Sequence, residues 1–168
     1  MRQARADEYA QFAAARAGHL YRSACLLTAG DTHLAEDLVQ EALGRIYVRW
    51  GRISLVGNPA AYAQTVLVRV FLTHKRRRSS RERATDVLPE VAAAGVDTPL
   101  RLTLLAALAR LPAKDRAVVV LRYWEDRSIE ETAGVLNASA AAVRTRCTRA
   151  LKQLRGLLGE DIGAYARP

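Results

Sequence analysis

The chain has 168 residues, enough for one domain or two small ones, and half of them are hydrophobic, so a core can form without disulfide staples. A formal net charge of +9 points to a polyanionic partner, nucleic acid or an acidic surface. Two cysteines outside any C-x-x-C pair (Cys25, Cys147), three scattered histidines (His19, His33, His74), and the lack of a secretory or membrane-length apolar run lead us to expect a cytoplasmic protein. It should hold no metal or cofactor and should not insert into a membrane.

A first helix is expected over about Asp7 to Ala29, ended at Gly30, where a left-handed residue is often needed. Asp31 can cap a second helix, about Thr32 to Trp50, because a short carboxylate accepts the orphan N–H groups of a first turn. Its apolar stripe is Ala35, Leu38, Val39, Ala42, Leu43, Ile46 and Trp50, with Gln40, Gly44 and Tyr47 on the other side. Gly51 to Gly57 is read as a loop. Asn58 then caps and Pro59 opens a third helix carrying Tyr62, Val66, Val70 and Leu72.

The third helix runs into a basic stretch, His74 to Arg83, with Lys75, Arg76, Arg77, Arg78, Arg81 and Arg83 against the single acid Glu82. Periodicity fades over 79–98, which holds Pro89, Gly95 and a string of alanines and reads as an extended linker. Four more helices follow, about Leu100 to Arg110, Pro112 to Trp124, Ile129 to Leu136 and Ala140 to Leu158. The run Val118 to Leu121 is read as buried helix rather than strand.

The sharpest local grammar is Ser128 to Arg144. Ser128 and Glu131 form an S-x-x-E capping box, Asn137-Ala138-Ser139 makes a turn, and Ser139 can cap the next helix. A short scaffold helix, a tight turn and a longer helix describe a helix–turn–helix. Its second helix has a core stripe of Val143, Cys147, Ala150, Leu151, Leu154 and Leu158. Arg144, Arg146, Arg149, Lys152 and Arg155 add five positive charges with no acid among residues 143–155. A one-sign face repels itself and suggests an anionic partner. Two basic clusters, one in each half, fit a single long polyanion touching both. No acid–base, nucleophile or metal set appears, so the expectation is binding, not catalysis.

These motifs together resemble the extracytoplasmic-function sigma factors, most closely the actinobacterial SigE-like subgroup. Residues 31–50, with Ala35-Glu36-Asp37-Leu38-Val39-Gln40-Glu41-Ala42-Leu43, resemble region 2. Ala106 to Pro112 followed by Arg116 to Trp124 resembles the start of region 4, and Ser128 to Leu154 its helix–turn–helix. The resemblance implies an all-α chain of two small helical domains joined by a flexible linker: 1–78 for region 2, 79–98 for the linker, 99–160 for region 4.

It implies roles as well. Asp37, Gln40, Glu41 and Tyr47 would meet core RNA polymerase. Asn58, Tyr62, Arg69, Lys75, Arg76, Arg77 and Arg78 would meet the −10 region of promoter DNA, with loop 51–58 taking a flipped base. Ser139, Arg144, Thr145, Arg146 and Arg149 would meet the −35 element, and an anti-sigma factor is a further partner. Two departures bear on base-level contacts: Ala141-Ala142 stands where the family usually has Gly-Thr, and Arg69 where Asn is common. The alternative is a stand-alone helix–turn–helix regulator, which explains residues 128–155 but neither the 31–50 helix nor the second basic run. With a linker of about twenty residues, the two basic clusters are expected at no fixed distance from one another.

Overall fold

A computed structural model describes residues 1–55, 57–81 and 99–159. Seven α-helices occur among them: α1 (Arg2–Leu27), α2 (Thr32–Ile53), α3 (Pro59–Arg81), α4 (Pro99–Arg110), α5 (Ala113–Val119), α6 (Ile129–Leu136) and α7 (Ala140–Leu158). Of the expected linker 79–98, residues 79–81 belong to α3; the rest, with Pro89, Gly95 and the basic residue Arg83, lies outside the described residues.

Helices α1 to α3 pack on one another around a shared core. The α2 stripe is buried as its spacing requires: Ala35, Leu38, Val39, Ala42, Ile46 and Trp50 point inward, with Leu43 at the margin. Tyr9 and Phe12 of α1 meet Trp50 at ring-centroid distances of 5.6 and 4.7 Å. Burying such a side chain stabilises by about 1.5–3 kcal/mol. The caps act as expected. Asp31 Oδ1 accepts from Leu34 N at 3.1 Å, and Asn58 Oδ1 accepts from Ala61 N at 3.0 Å.

Other boundaries differ from expectation as well. Helix α1 starts at Arg2 and stops at Leu27, with both Ala29 (φ 54°) and Gly30 (φ 90°) left-handed. Helix α2 continues through Gly51 to Ile53, because Ile53 extends the buried stripe by one position, and the expected loop shrinks accordingly. Finally, the expected helix from Pro112 to Trp124 is α at its start and π-helical over Val120–Trp124, where Glu125 N donates to Val120 O at 2.9 Å. The run Val118 to Leu121 is helical and largely buried, as its setting in an apolar stripe suggested.

Helices α4 to α7 form the second group. Val118, Ala133, Val143 and Cys147 make one apolar cluster, and Ala107, Leu108, Leu111, Ala150 and Leu154 make another. The two groups are not held apart. Ala117, Val120, Leu121 and Val135 join the core of the first three helices, and Ala29 joins the second cluster. In this arrangement the two basic clusters are therefore carried on groups that touch one another. No helix among the described residues is long and apolar enough to cross a membrane.

Candidate functional site

The helix–turn–helix is built from its caps. Ser128 Oγ accepts from Glu131 N at 3.0 Å while Glu131 Oε2 accepts from Ser128 N at 2.9 Å, the reciprocal box that satisfies two donors of α6. Asn137 takes the left-handed conformation (φ 52°), and Ala138 N donates back to Ala133 O at 3.0 Å, closing the helix in a tight turn. Ser139 Oγ accepts from Ala142 N at 3.1 Å and starts α7. Its hydroxyl oxygen is thus engaged in capping α7.

The basic face of α7 is divided. Arg144 and Thr145 are exposed, and Arg144 lies 3.8 Å from Glu130, an exposed acid. Arg146 and Arg149 instead converge on Asp115 of α5. Arg146 Nη1 donates to Oδ1 at 2.8 Å, and Arg149 donates from Nε to Oδ2 at 2.9 Å and from Nη2 to Oδ1 at 2.8 Å. Asp115 is fully buried. Burial pushes its carboxyl up, but the hydrogen bonds and charges of Arg149 and Arg146 together outweigh that and hold it below the ordinary carboxylate range. Two of the three α7 arginines expected to meet DNA thus tie α7 to α5. Sequence reasoning missed Asp115, although an acid in the first turn after Pro112 was visible.

On the first three helices, Asp37, Gln40, Glu41 and Tyr47 are all exposed on one side of α2, opposite its buried stripe. Glu41 accepts from Arg45 at 2.6 Å, an exposed i,i+4 pair. On α3, Arg76, Arg77 and Arg78 are exposed and Lys75 is half-buried. Burial, then the charges of Arg116 and Arg78, lower the Lys75 ammonium below its ordinary value. Arg76 and Arg77 meet no carboxylate among the described residues. Asn58 is exposed and Tyr62 half-buried, beside Arg45, Arg49 and Arg69.

Arg69 also reaches across to α6. Its Nε donates to Val135 O at 3.1 Å and its Nη2 to Gly134 O at 3.2 Å, so its guanidinium meets carbonyls at the end of α6, where a helix favours a cation. Arg116 is the buried counterpart. It donates to Leu27 O at 2.7 Å and Leu111 O at 3.1 Å, lies 5.9 Å from the Phe71 ring centre, and is lowered by burial to about 10. At that value it remains charged at neutral pH. Its signal, an arginine opening an apolar helical run, gave no hint that it reaches Leu27 at the end of α1.

Comparison with known proteins follows the same division. Sigma-70 region 2 matches residues 8–81, and Sigma-70, region 4 matches residues 101–154. The RNA polymerase sigma-E factor of Streptomyces coelicolor is 38% identical, over 95% of this chain and 91% of that protein. An ECF RNA polymerase sigma factor of Bacillus subtilis, SigW, is 27% identical over 78% of this chain and 79% of its own. The fold is shared with the Bartonella quintana sigma factor RpoE, solved in complex with the anti-sigma factor NepR (TM-score 0.71, 23% identity, 92% of this chain and 98% of that one). An exposed acidic face on α2, a capped helix–turn–helix, and two family regions in order along most of the chain lead to one identification: this chain belongs to the sigma-70 family of RNA polymerase sigma factors, in its extracytoplasmic-function group.

Proposed function

We propose that the chain is a promoter-specificity subunit that binds core RNA polymerase through the exposed side of α2 and reads promoter DNA with α3 and α7. The observation that carries this is the pairing of two sigma regions, in order, on surfaces of opposite character. The α2 side offers Asp37, Gln40, Glu41 and Tyr47, suited to a basic protein surface, whereas Arg76, Arg77 and Arg144 suit phosphates.

Arg144 and Thr145 are the outward residues of the recognition helix and take the −35 element. Arg149, just over half exposed, can touch DNA at its edge while bound to Asp115. Asn58, Tyr62 and Lys75 to Arg78 take the −10 side. An anti-sigma factor is a further partner, as for the solved relative. The stand-alone regulator loses support because it leaves the region 2 match unexplained.

Run-off transcription with core polymerase and a library of promoter fragments tests the reading. Core-dependent, promoter-specific transcripts are expected. Tight sequence-specific binding by the protein alone, with no effect of core enzyme, would return weight to the regulator.

A further inference from the structure

A basic cleft of about 710 Å³ opens where α3 meets α5 and α6. That volume lies within the range of about 300–1,000 Å³ usual for small-molecule sites. Arg45 of α2, Arg69, Lys75 and Arg76 of α3, and Lys114 of α5 line it. Leu72, Ala113, Val135 and Leu136 add an apolar part, and Thr73, Ser79 and Asn137 supply neutral hydrogen-bonding groups.

No carboxylate is among the described residues that line the cleft. Two acids outside it act on its cations. Glu41 accepts from Arg45 at 2.6 Å, an exposed i,i+4 pair of the kind that contributes little. Asp31 favours the charged form of Lys75, but burial and the charges of Arg116 and Arg78 outweigh it and lower that ammonium below its ordinary value. The cleft thus gathers positive charge that neighbouring acids do not balance. Such a gathering costs self-repulsion, which a multiply charged anion relieves.

We propose that this cleft binds a nucleoside polyphosphate, with its phosphates on the arginine and lysine groups and its base and sugar on the apolar residues. Guanidinium groups match phosphate oxygens in pairs, and lysines add point charges. A bare phosphate chain would leave the apolar lining uncovered, whereas a base and sugar would take it out of water. Lys75 and Arg76 are shared with the −10 surface proposed above. Arg45 and Lys114 belong to neither promoter surface, so they carry the test, which is independent of polymerase and promoter.

Isothermal titration calorimetry of the full chain compares ATP, GTP, AMP and inorganic tripolyphosphate at low and moderate salt. ATP or GTP should bind saturably and more weakly as salt rises. AMP, with fewer phosphates, and tripolyphosphate, with no base, should each bind at least about tenfold more weakly. Lys114→Ala and Arg45→Ala should each weaken nucleotide binding about fivefold or more, with helicity by circular dichroism unchanged. Arg110→Ala, an exposed arginine of α4 that does not line the cleft, should leave binding as it is. Absence of saturable binding by both ATP and GTP overturns the proposal. So does AMP or tripolyphosphate binding as tightly as the nucleotide triphosphates. Folded Lys114→Ala and Arg45→Ala proteins that keep wild-type affinity, or an equal loss in Arg110→Ala, overturn it as well.

Discussion

The basic run at the end of α3 and the basic face of α7 use the same residue types at similar density, yet they meet different surroundings. On α7, two arginines share one buried carboxylate, Asp115. On α3, Arg76 and Arg77 are exposed and meet no acid among the described residues. The difference arises because α7 packs against α5, which carries Asp115, whereas residues 76–80 of α3 are exposed. A charge that anchors a helix cannot be removed without moving the helix; a charge in solvent can. Equal arginine density therefore conceals unequal consequences of mutation.

The sharpest way to break this contrast is to remove the buried acid. Asp115→Ala should destabilise the protein by about 3 kcal/mol, because hydrogen bonds between charged groups are lost and a void is left. Urea unfolding measures it. A cost below about 1 kcal/mol, the range of surface pairs, would place Asp115 among ordinary ion pairs.

The same carboxyl predicts a pH dependence. Its folded pKa is held below the unfolded value of about 3.9, so its contribution is fully present above that value and is lost as pH falls through the folded one. The stability gap between the wild type and Asp115→Asn should be constant from neutral pH to about pH 5 and should shrink below about pH 4. Thermal melts of both proteins across that window read it directly; a gap that stays constant down to pH 3 contradicts the assignment.

Within α7, Arg144→Ala should weaken promoter binding by about 1–3 kcal/mol while leaving the melting temperature unchanged. Arg149→Ala should lower both. Fluorescence anisotropy with polymerase present, beside a melting curve, separates them, and matched effects on both assays from the two variants would erase the distinction drawn here.

The smallest effects belong to α3. Arg76→Ala or Arg77→Ala should leave stability alone, weaken binding alike across promoter sequences, and reduce the salt slope of binding by about one each. A strong preference change at one base would instead make the residue a base reader.

Local signals carried much of the fold. Asp31, Asn58, Ser128 and Ser139 cap the helices that their positions announce, and α6 and α7 begin and end where capping and periodicity put them. Such interactions span three or four residues, so the sequence displays both partners together. The exposed side of α2 was readable for the same reason, as the complement of a buried stripe.

What stayed hidden depends on which helices meet. Arg146 and Arg149 reach Asp115 from 31 and 34 residues away, and Glu125 meets His19 and Ser23 across 106 and 102. Helical spacing tells which face of an element is apolar, but not which element will cover it. Composition and periodicity determined an all-helical, basic, two-region chain with a helix–turn–helix. Tertiary packing alone decided which of its charges are spent inside the protein and which remain for a partner, because a charge's desolvation and pairing depend on neighbours brought together only when the helices dock.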